Sequence, residues 1–172
     1  MTPGWSPDKQ VIGAGLPRQS QDVTDEKWMR RALEVAETTP AGDVPVGAVI
    51  VSAEGQELAT GVNRREADVD PLGHAEIAAI AAAVQAHGDR WRLTDCIIYV
   101  TLEPCAMCAG ALVGSRIGRI VYAAAEPKTG ACGSVWDVPR ESPLHKAQVR
   151  AGVLEAEAKQ LLENFFREVR GA

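Results

Sequence analysis

The sequence predicts an α/β protein, a three-layer α/β/α sandwich built on a central five-stranded mixed sheet. Three observations carry that prediction. Helical and strand-like segments follow one another as helix, strand, strand, helix, strand, helix, strand, helix, with a short fifth strand just before the last helix, and this order puts helices on both faces of one sheet. "VPVGAVIV", "CIIYVTL" and "RIVYAAA" are apolar almost throughout, as strands covered on both faces are. The first two strands flank a tight turn and pair as neighbours, which makes the sheet mixed rather than parallel.

Residues 1–22 are rich in Pro, Gly, Gln and Ser without a sustained period and read as a flexible leader, with Trp5 exposed in it. Residues 23–172 form the single folded domain. The first helix is expected in "TDEKWMRRALEVAETT", with Thr24 as cap, Asp25 and Glu26 at the positive end, and Trp28, Ala32, Val35 and Ala36 as the apolar stripe. Two strands follow in "VPVGAVIVSAEGQELATGVN" around an Ala-Glu-Gly-Gln turn. The charged loop "RREADVDPLG" leads to an Ala-rich helix that opens at "HAEIAAI" and ends near His87 and Gly88. "CIIYVTL" is the third strand, and "EPCAMCAGALVGS" starts a helix with Pro104 just inside its first turn. "RIVYAAA" is the fourth strand, "EPKTGACGSVWDVPRESPLHK" a long loop, and "QVRAGV" a short fifth strand. "LEAEAKQLLENFFREV" closes the chain as an amphipathic helix, with Leu154, Ala158, Leu161, Leu162, Phe165 and Phe166 on one side.

The balance of 18 Lys plus Arg against 23 Asp plus Glu gives a net charge of −5. That excludes a general nucleic-acid binder working through its overall field, and leaves a local basic patch as the way to hold RNA. No apolar run approaches the roughly 18 residues that span a bilayer, and no export signal opens the chain, so a cytoplasmic protein without membrane contact is expected. In that setting Cys96, Cys105, Cys108 and Cys132 speak for metal or redox chemistry before disulfides.

Cys105 and Cys108 stand at i and i+3 in the first turn of a helix, so their thiols face one side. A helix N-terminus lowers thiol pKa, and zinc takes the thiolate. His74 is the natural third ligand. His74 and Glu76 are two residues apart and share no side face of a helix, so they meet at one point only beyond its tip. The zinc site is therefore expected where two helix N-termini converge. Three protein ligands leave the fourth zinc position to water, whose pKa falls to about 7. Glu76, beside the metal rather than on it, can take that water's proton and pass it to a substrate nitrogen. Hydrolytic attack on an electron-poor carbon with loss of an amine is deamination.

Each part also has a blander reading. A C-x-x-C pair can be redox-active or simply buried, and a single His at a helix start can be a cap. A structural zinc site wants a fourth protein ligand. Cys96 heads a strand that carries it away and His87 lies at the far end of its helix, whereas Cys132 and His145 lie in the long loop and stay open as ligands. A structural site leaves Glu76 without purpose. "HAE", 27 residues and then "PCAMC" together favour a catalytic zinc.

The same two motifs match the H-x-E…P-C-x-x-C pattern of zinc nucleobase deaminases. With "VPVGAV", "GVNRREADVDPLGHAEI", "YVTLEPCAMCAGALVGSRIGRIVY", "PKTGACGS" and "NFFR", the chain resembles the bacterial tRNA-specific adenosine deaminases over roughly residues 24–170. The resemblance implies a cytidine deaminase-like fold and one zinc per subunit on His74, Cys105 and Cys108, with Glu76 as proton shuttle. It implies that Asn63 contacts the adenine and its ribose and that Val46 walls the base pocket. Helix-end geometry adds the backbone N–H groups near Ala75 and Cys105 as holders of the base or of the attacking oxygen. The implied substrate is the wobble adenosine of an arginine tRNA anticodon, converted to inosine by a homodimer that binds the anticodon stem-loop. Arg64, Arg65, Lys128, Arg167 and Arg170 are the candidate RNA contacts that could form a local basic patch. Glu126 and Pro127 depart from relatives that carry Asp and Ala there, and Cys132 is an extra thiol. Two other functions compete: a metabolic deaminase of free guanine or cytosine, and a zinc-stabilised RNA-binding module without catalysis.

Overall fold

Alternation along the strands sends side chains into two separate cores. Ala48, Ile50, Ile98, Val100, Ile120 and Tyr122 point one way, whereas Val49, Val51, Tyr99, Val121 and Ala123 point the other. The computed structural model describes residues 18–171. In chain order the elements are helix α1 (Arg18–Ala36), strands β1 (Gly47–Val51) and β2 (Glu57–Val62), helix α2 (Ala75–His87), strand β3 (Ile97–Leu102), helix α3 (Ala106–Gly114), strand β4 (Arg119–Ala124), the short helix α4 (Val138–Glu141), strand β5 (Gln148–Arg150) and helix α5 (Glu155–Gly171). The first core lies under α2 and α3 and the second under α1 and α5, which gives the α/β/α layering and the five-stranded mixed sheet. Among the described residues no helix is long and apolar enough to cross a membrane.

The sheet runs in the order β2-β1-β3-β4-β5. Both β2 and β3 pair antiparallel with β1, and β3, β4 and β5 are parallel to one another. Four strands therefore share a direction, and α2 and α3 both leave from the end of the sheet where those strands finish. That topology brings two helix N-termini together, at the end where open α/β sheets hold ligands.

Two glycines set the helix-to-sheet distance. A Cβ on Gly47 would lie 2.2 Å from the Ala32 carbonyl oxygen of α1, and one on Gly61 would lie 2.1 Å from that of Ala75 in α2. Only a residue without a side chain lets each helix approach its strand so closely.

Several element ends differ from the sequence reading. Helix α1 starts at Arg18, so residues 18–22 of the expected leader are helical; residues 1–17, with Trp5, lie outside the described residues. Thr24 is consequently not a cap, and its hydroxyl donates to the Ser20 carbonyl at 2.8 Å. Asp25 lies about two turns inside the helix. It is 1% exposed and accepts hydrogen bonds from Tyr99 Oη (2.9 Å), Arg119 Nη1 (2.9 Å) and Nη2 (2.7 Å), and Arg150 Nη1 (2.6 Å). Helix α3 begins at Ala106 with Cys105 as its N-cap, so Pro104 precedes the helix instead of sitting inside it. The long loop contains α4, and α2 ends as its glycine signals, on Gly88 at φ 86°.

Candidate active site

His74 and Cys105 occupy equivalent places. Each is the N-cap of its helix, with φ and ψ of −87° and 149° for His74 and −71° and 174° for Cys105, and neither side chain caps. Both forgo a cap hydrogen bond, a sacrifice of about 0.5–2 kcal/mol relative to Ser or Asp there. Their donor atoms are free to meet across the gap between the helices. His74 Nδ1 lies 3.5 Å from Cys108 Sγ and 3.8 Å from Cys105 Sγ. With Zn–S of about 2.3 Å and Zn–N of about 2.0 Å, a tetrahedral ion sets such edges at roughly 3.6 Å, so the three donors fit zinc. Among the described residues neither Cys132 nor His145 joins this donor group. Cys132 is buried, and His145 Nε2 is held 2.6 Å from the Ile117 carbonyl oxygen. The set thus offers three protein donors, the number that would leave a coordination position open on a tetrahedral ion.

The thiols are electrostatically unequal. Hydrogen bonds from the Cys108 thiol and then from the His74 ring pull Cys105 down to about 3, and Cys108 is pushed up by sharing its proton with Cys105. Glu76, two residues into the cap region of α2, is 4% exposed, and burial raises its carboxyl above the ordinary range. His74, Glu76 and Cys105 lie in one cleft of ≈ 710 Å³.

Asn63, Val46 and Ala75 line the same cleft. Asn63 Nδ2 donates to the Val44 carbonyl at 3.0 Å, which fixes the amide; its Oδ1 is buried with no hydrogen-bond partner. An unsatisfied buried acceptor costs about 1–3 kcal/mol, so a ligand donor would be welcome there. Ala75 is the first residue of α2, where a backbone N–H has no partner within the helix. Of the candidate RNA contacts, Arg65 lines the cleft. Arg64 turns away into a two-pronged pair with Asp68 at 2.8 and 2.9 Å. Lys128 is exposed in the loop after β4, and Arg167 and Arg170 are exposed on α5.

The sequence reading missed the framework around the cleft. Glu103, the last residue before Pro104, is 2% exposed. Its Oε1 accepts the N–H groups of Cys132 and Ser134, both at 3.0 Å. Its Oε2 accepts the Glu126 N–H at 3.0 Å and the Ser134 hydroxyl. Burial pushes this carboxyl up, but the hydrogen bonds from Ser134, Glu126 and Cys132 outweigh it and hold Glu103 below the usual carboxylate range. Glu103 thereby fastens the 126–134 loop, whose Glu126 and Thr129 wall the cleft. Asp43, 2% exposed, does the same for the loop before α2 by accepting the N–H groups of Glu66 (2.8 Å) and Ala67 (3.0 Å). The outer wall comes from α5 through Leu162, Phe165, Phe166 and Val169. Its apolar stripe was legible in the sequence, but it reads as core until the sheet shows where the helix lies.

Residues 22–124 match the zinc-binding region of cytidine and deoxycytidylate deaminases. The chain is 43% identical over 148 residues to the tRNA-specific adenosine deaminase of Bacillus subtilis, covering 85% of this chain and 91% of that protein. It superposes on a tRNA:A34 deaminase solved in a study of A-to-I editing at the wobble position of transfer RNA, with TM-score 0.72 and 39% identity over 79% of this chain and 99% of the other. A guanine deaminase from Nitrosomonas europaea is also similar, with TM-score 0.68 and 26% identity over 94% of this chain and 98% of that one.

Proposed function

The chain belongs to the cytidine and deoxycytidylate deaminase family of zinc enzymes, and from that premise we propose that it converts the wobble adenosine of an arginine tRNA anticodon to inosine. It is a zinc-dependent hydrolase of the tRNA-specific adenosine deaminase type. His74, Cys105 and Cys108 would hold the metal, which supplies the Lewis acidity that makes water nucleophilic near neutral pH. One observation carries the catalytic reading: a buried carboxylate, Glu76, stands beside a three-donor metal set at the floor of an open cleft.

Each residue has a task that its surroundings support. Glu76 takes the proton of the attacking water and delivers it to the purine, and its burial suits a group that must both accept and release a proton. Asn63 Oδ1 accepts a hydrogen bond from the substrate, and Val46 packs against the base. The first N–H groups of α2 and α3, at Ala75 and after Cys105, favour the negative charge that develops on the reacting atoms.

The shape of the cleft supports a base within a larger polymer. From His74 and Cys105 it extends to Phe165, Phe166 and Val169, and Phe166 is 45% exposed. Exposed aromatic rings beside a base pocket are surfaces on which flanking, unpaired bases stack. Arg65 at the cleft, with Lys128, Arg167 and Arg170 around it, would meet the phosphates. Exposed Val69 and Leu72 before His74, and Val135 and Trp136 after Cys132, are apolar surface of the kind a second subunit covers, in keeping with a homodimer.

Incubation with an arginine anticodon stem-loop RNA, and separately with free adenosine, cytosine and guanine, tests the substrate. Inosine at the wobble position with little turnover of the free compounds is expected. Ready turnover of guanine with no inosine in the RNA would make the protein a metabolic deaminase instead.

A further inference from the structure

We propose that His87, Asp95 and Cys96 form a second metal site, suited to Zn²⁺ or a similar borderline divalent ion, at the end of the sheet opposite the deaminase centre. His87 lies in the last turn of α2, and Asp95 and Cys96 immediately precede β3. His87 Nε2, Asp95 Oδ1 and Cys96 Sγ lie within 4.8 Å of one another. The S···N separation is 3.7 Å and the S···O separation 3.6 Å. Both agree with the roughly 3.6 Å edges that a tetrahedral zinc ion sets, as at His74, Cys105 and Cys108. The third edge, His87 Nε2 to Asp95 Oδ1, is 2.8 Å, a hydrogen-bond distance. Metal ligation widens that edge to about 3.4 Å. The Asp95 side chain is 52% exposed and free to make that move, whereas His87 at 12% and the fully buried Cys96 are held by the fold.

The donor types narrow the ion. One thiolate, one imidazole and one carboxylate select zinc, cobalt or copper over magnesium or calcium, which want oxygen alone. Burial and the carboxylates of Asp95 and Glu54 keep the Cys96 thiol protonated, so an ion binds there only by displacing that proton. Thiol, imidazole and carboxylate are now held together by protons, and a divalent cation is the charge that would replace them. On binding, the Cys96 S–H bond breaks as the sulfur–metal bond forms and that proton passes to solvent, His87 ligates through Nε2 as the neutral ring with its one proton on Nδ1, and no electron is transferred. Such an ion would clip the C-terminal end of α2 to the start of β3 across residues 88–95, far from the substrate cleft.

Zinc per chain, measured after equilibration with buffered Zn²⁺ and gel filtration, tests the site. The full-length wild type is expected to hold two equivalents, and Cys96→Ser and Asp95→Asn one each, with deaminase activity kept. Cobalt reconstitution adds a signature: the wild type minus Cys96→Ser difference spectrum should contain a thiolate-to-cobalt charge-transfer band. Should Cys96→Ser fail to fold, Asp95→Asn, at an exposed position, decides alone. A single equivalent in the wild type, or a second one that survives Asp95→Asn, overturns the proposal and leaves His87 and Asp95 as an ordinary hydrogen-bonded contact.

Discussion

The Cβ that Gly61 lacks would stand 2.1 Å from the Ala75 carbonyl oxygen and 2.8 Å from the Ala79 nitrogen, so β2 and the first turn of α2 touch backbone to backbone. Ala75 follows His74, and Glu76 follows Ala75, so this contact sets where the histidine and the carboxylate stand. Gly61→Ala cannot be relieved by a rotamer change. It should cost about 1–3 kcal/mol of stability and push the α2 N-terminus outward. Reduced zinc content in protein that still gives a folded circular dichroism spectrum is the expected result, and full zinc content would show that the helix end tolerates the shift.

Asn63 Oδ1 is a buried acceptor waiting for a donor. Asn63→Ala removes it, and a lost hydrogen bond to a buried group is worth about 1–3 kcal/mol, or roughly 5- to 150-fold. A fall of that size in kcat/KM, with unchanged zinc content, is expected from steady-state kinetics on the stem-loop. Unchanged kinetics would leave Asn63 as a tie to Val44 and nothing more.

Glu103 secures the 126–134 loop through four hydrogen bonds to its two oxygens. Glu103→Gln turns an NH2 group toward donors, and a destabilisation of about 2–3 kcal/mol at pH 7 follows. The pH dependence has a definite sign. The folded-state pKa lies below the ordinary 4.5, so the carboxylate's contribution is complete above about that pH and is lost as pH falls through the folded value. Denaturant unfolding should therefore show the gap between wild type and variant closing below pH 4.5. A gap that is constant with pH would assign the effect to shape instead of charge.

Asp25 is the buried partner of Arg119 and Arg150 and of the Tyr99 hydroxyl. Removing one member of a buried pair strands the other, at about 3–5 kcal/mol. Asp25→Asn should lower the thermal midpoint markedly while leaving zinc content and KM unchanged in the protein that remains folded. A midpoint within a degree of wild type would mean that water reaches the two arginines without cost.

Much of this architecture was legible in the sequence because it depends on local periods. The apolar runs of β1, β3 and β4, the Gly88 stop of α2 and the converging "HAE" and "PCAMC" helix starts each have a short-range cause. What escaped is long-range or ambiguous. Asp25 and Glu26 read as an acidic helix start, yet the helix begins a full two turns earlier and buries Asp25 against arginines 94 and 125 residues away. Glu103 looks like a charged residue before a proline, and only the folded loop reveals four donors converging on it. Phe165 and Phe166 read as core because the sequence does not say that α5 ends beside the cleft. Arg64 and Arg65 are indistinguishable in sequence, and only the Asp68 pair separates them.

Glu76 is proposed to move the protons of a zinc-dependent deamination of adenosine in RNA. The most direct measurement compares wild type and Glu76→Ala on the arginine anticodon stem-loop, reading inosine formed and zinc bound in the same samples. Wild type is expected to form inosine at the wobble position. The variant is expected to be slower by about 10²- to 10⁴-fold with the catalytic zinc retained. Wild-type rates in Glu76→Ala, or loss of the zinc together with activity, would contradict the assignment of Glu76 as the proton carrier beside the metal.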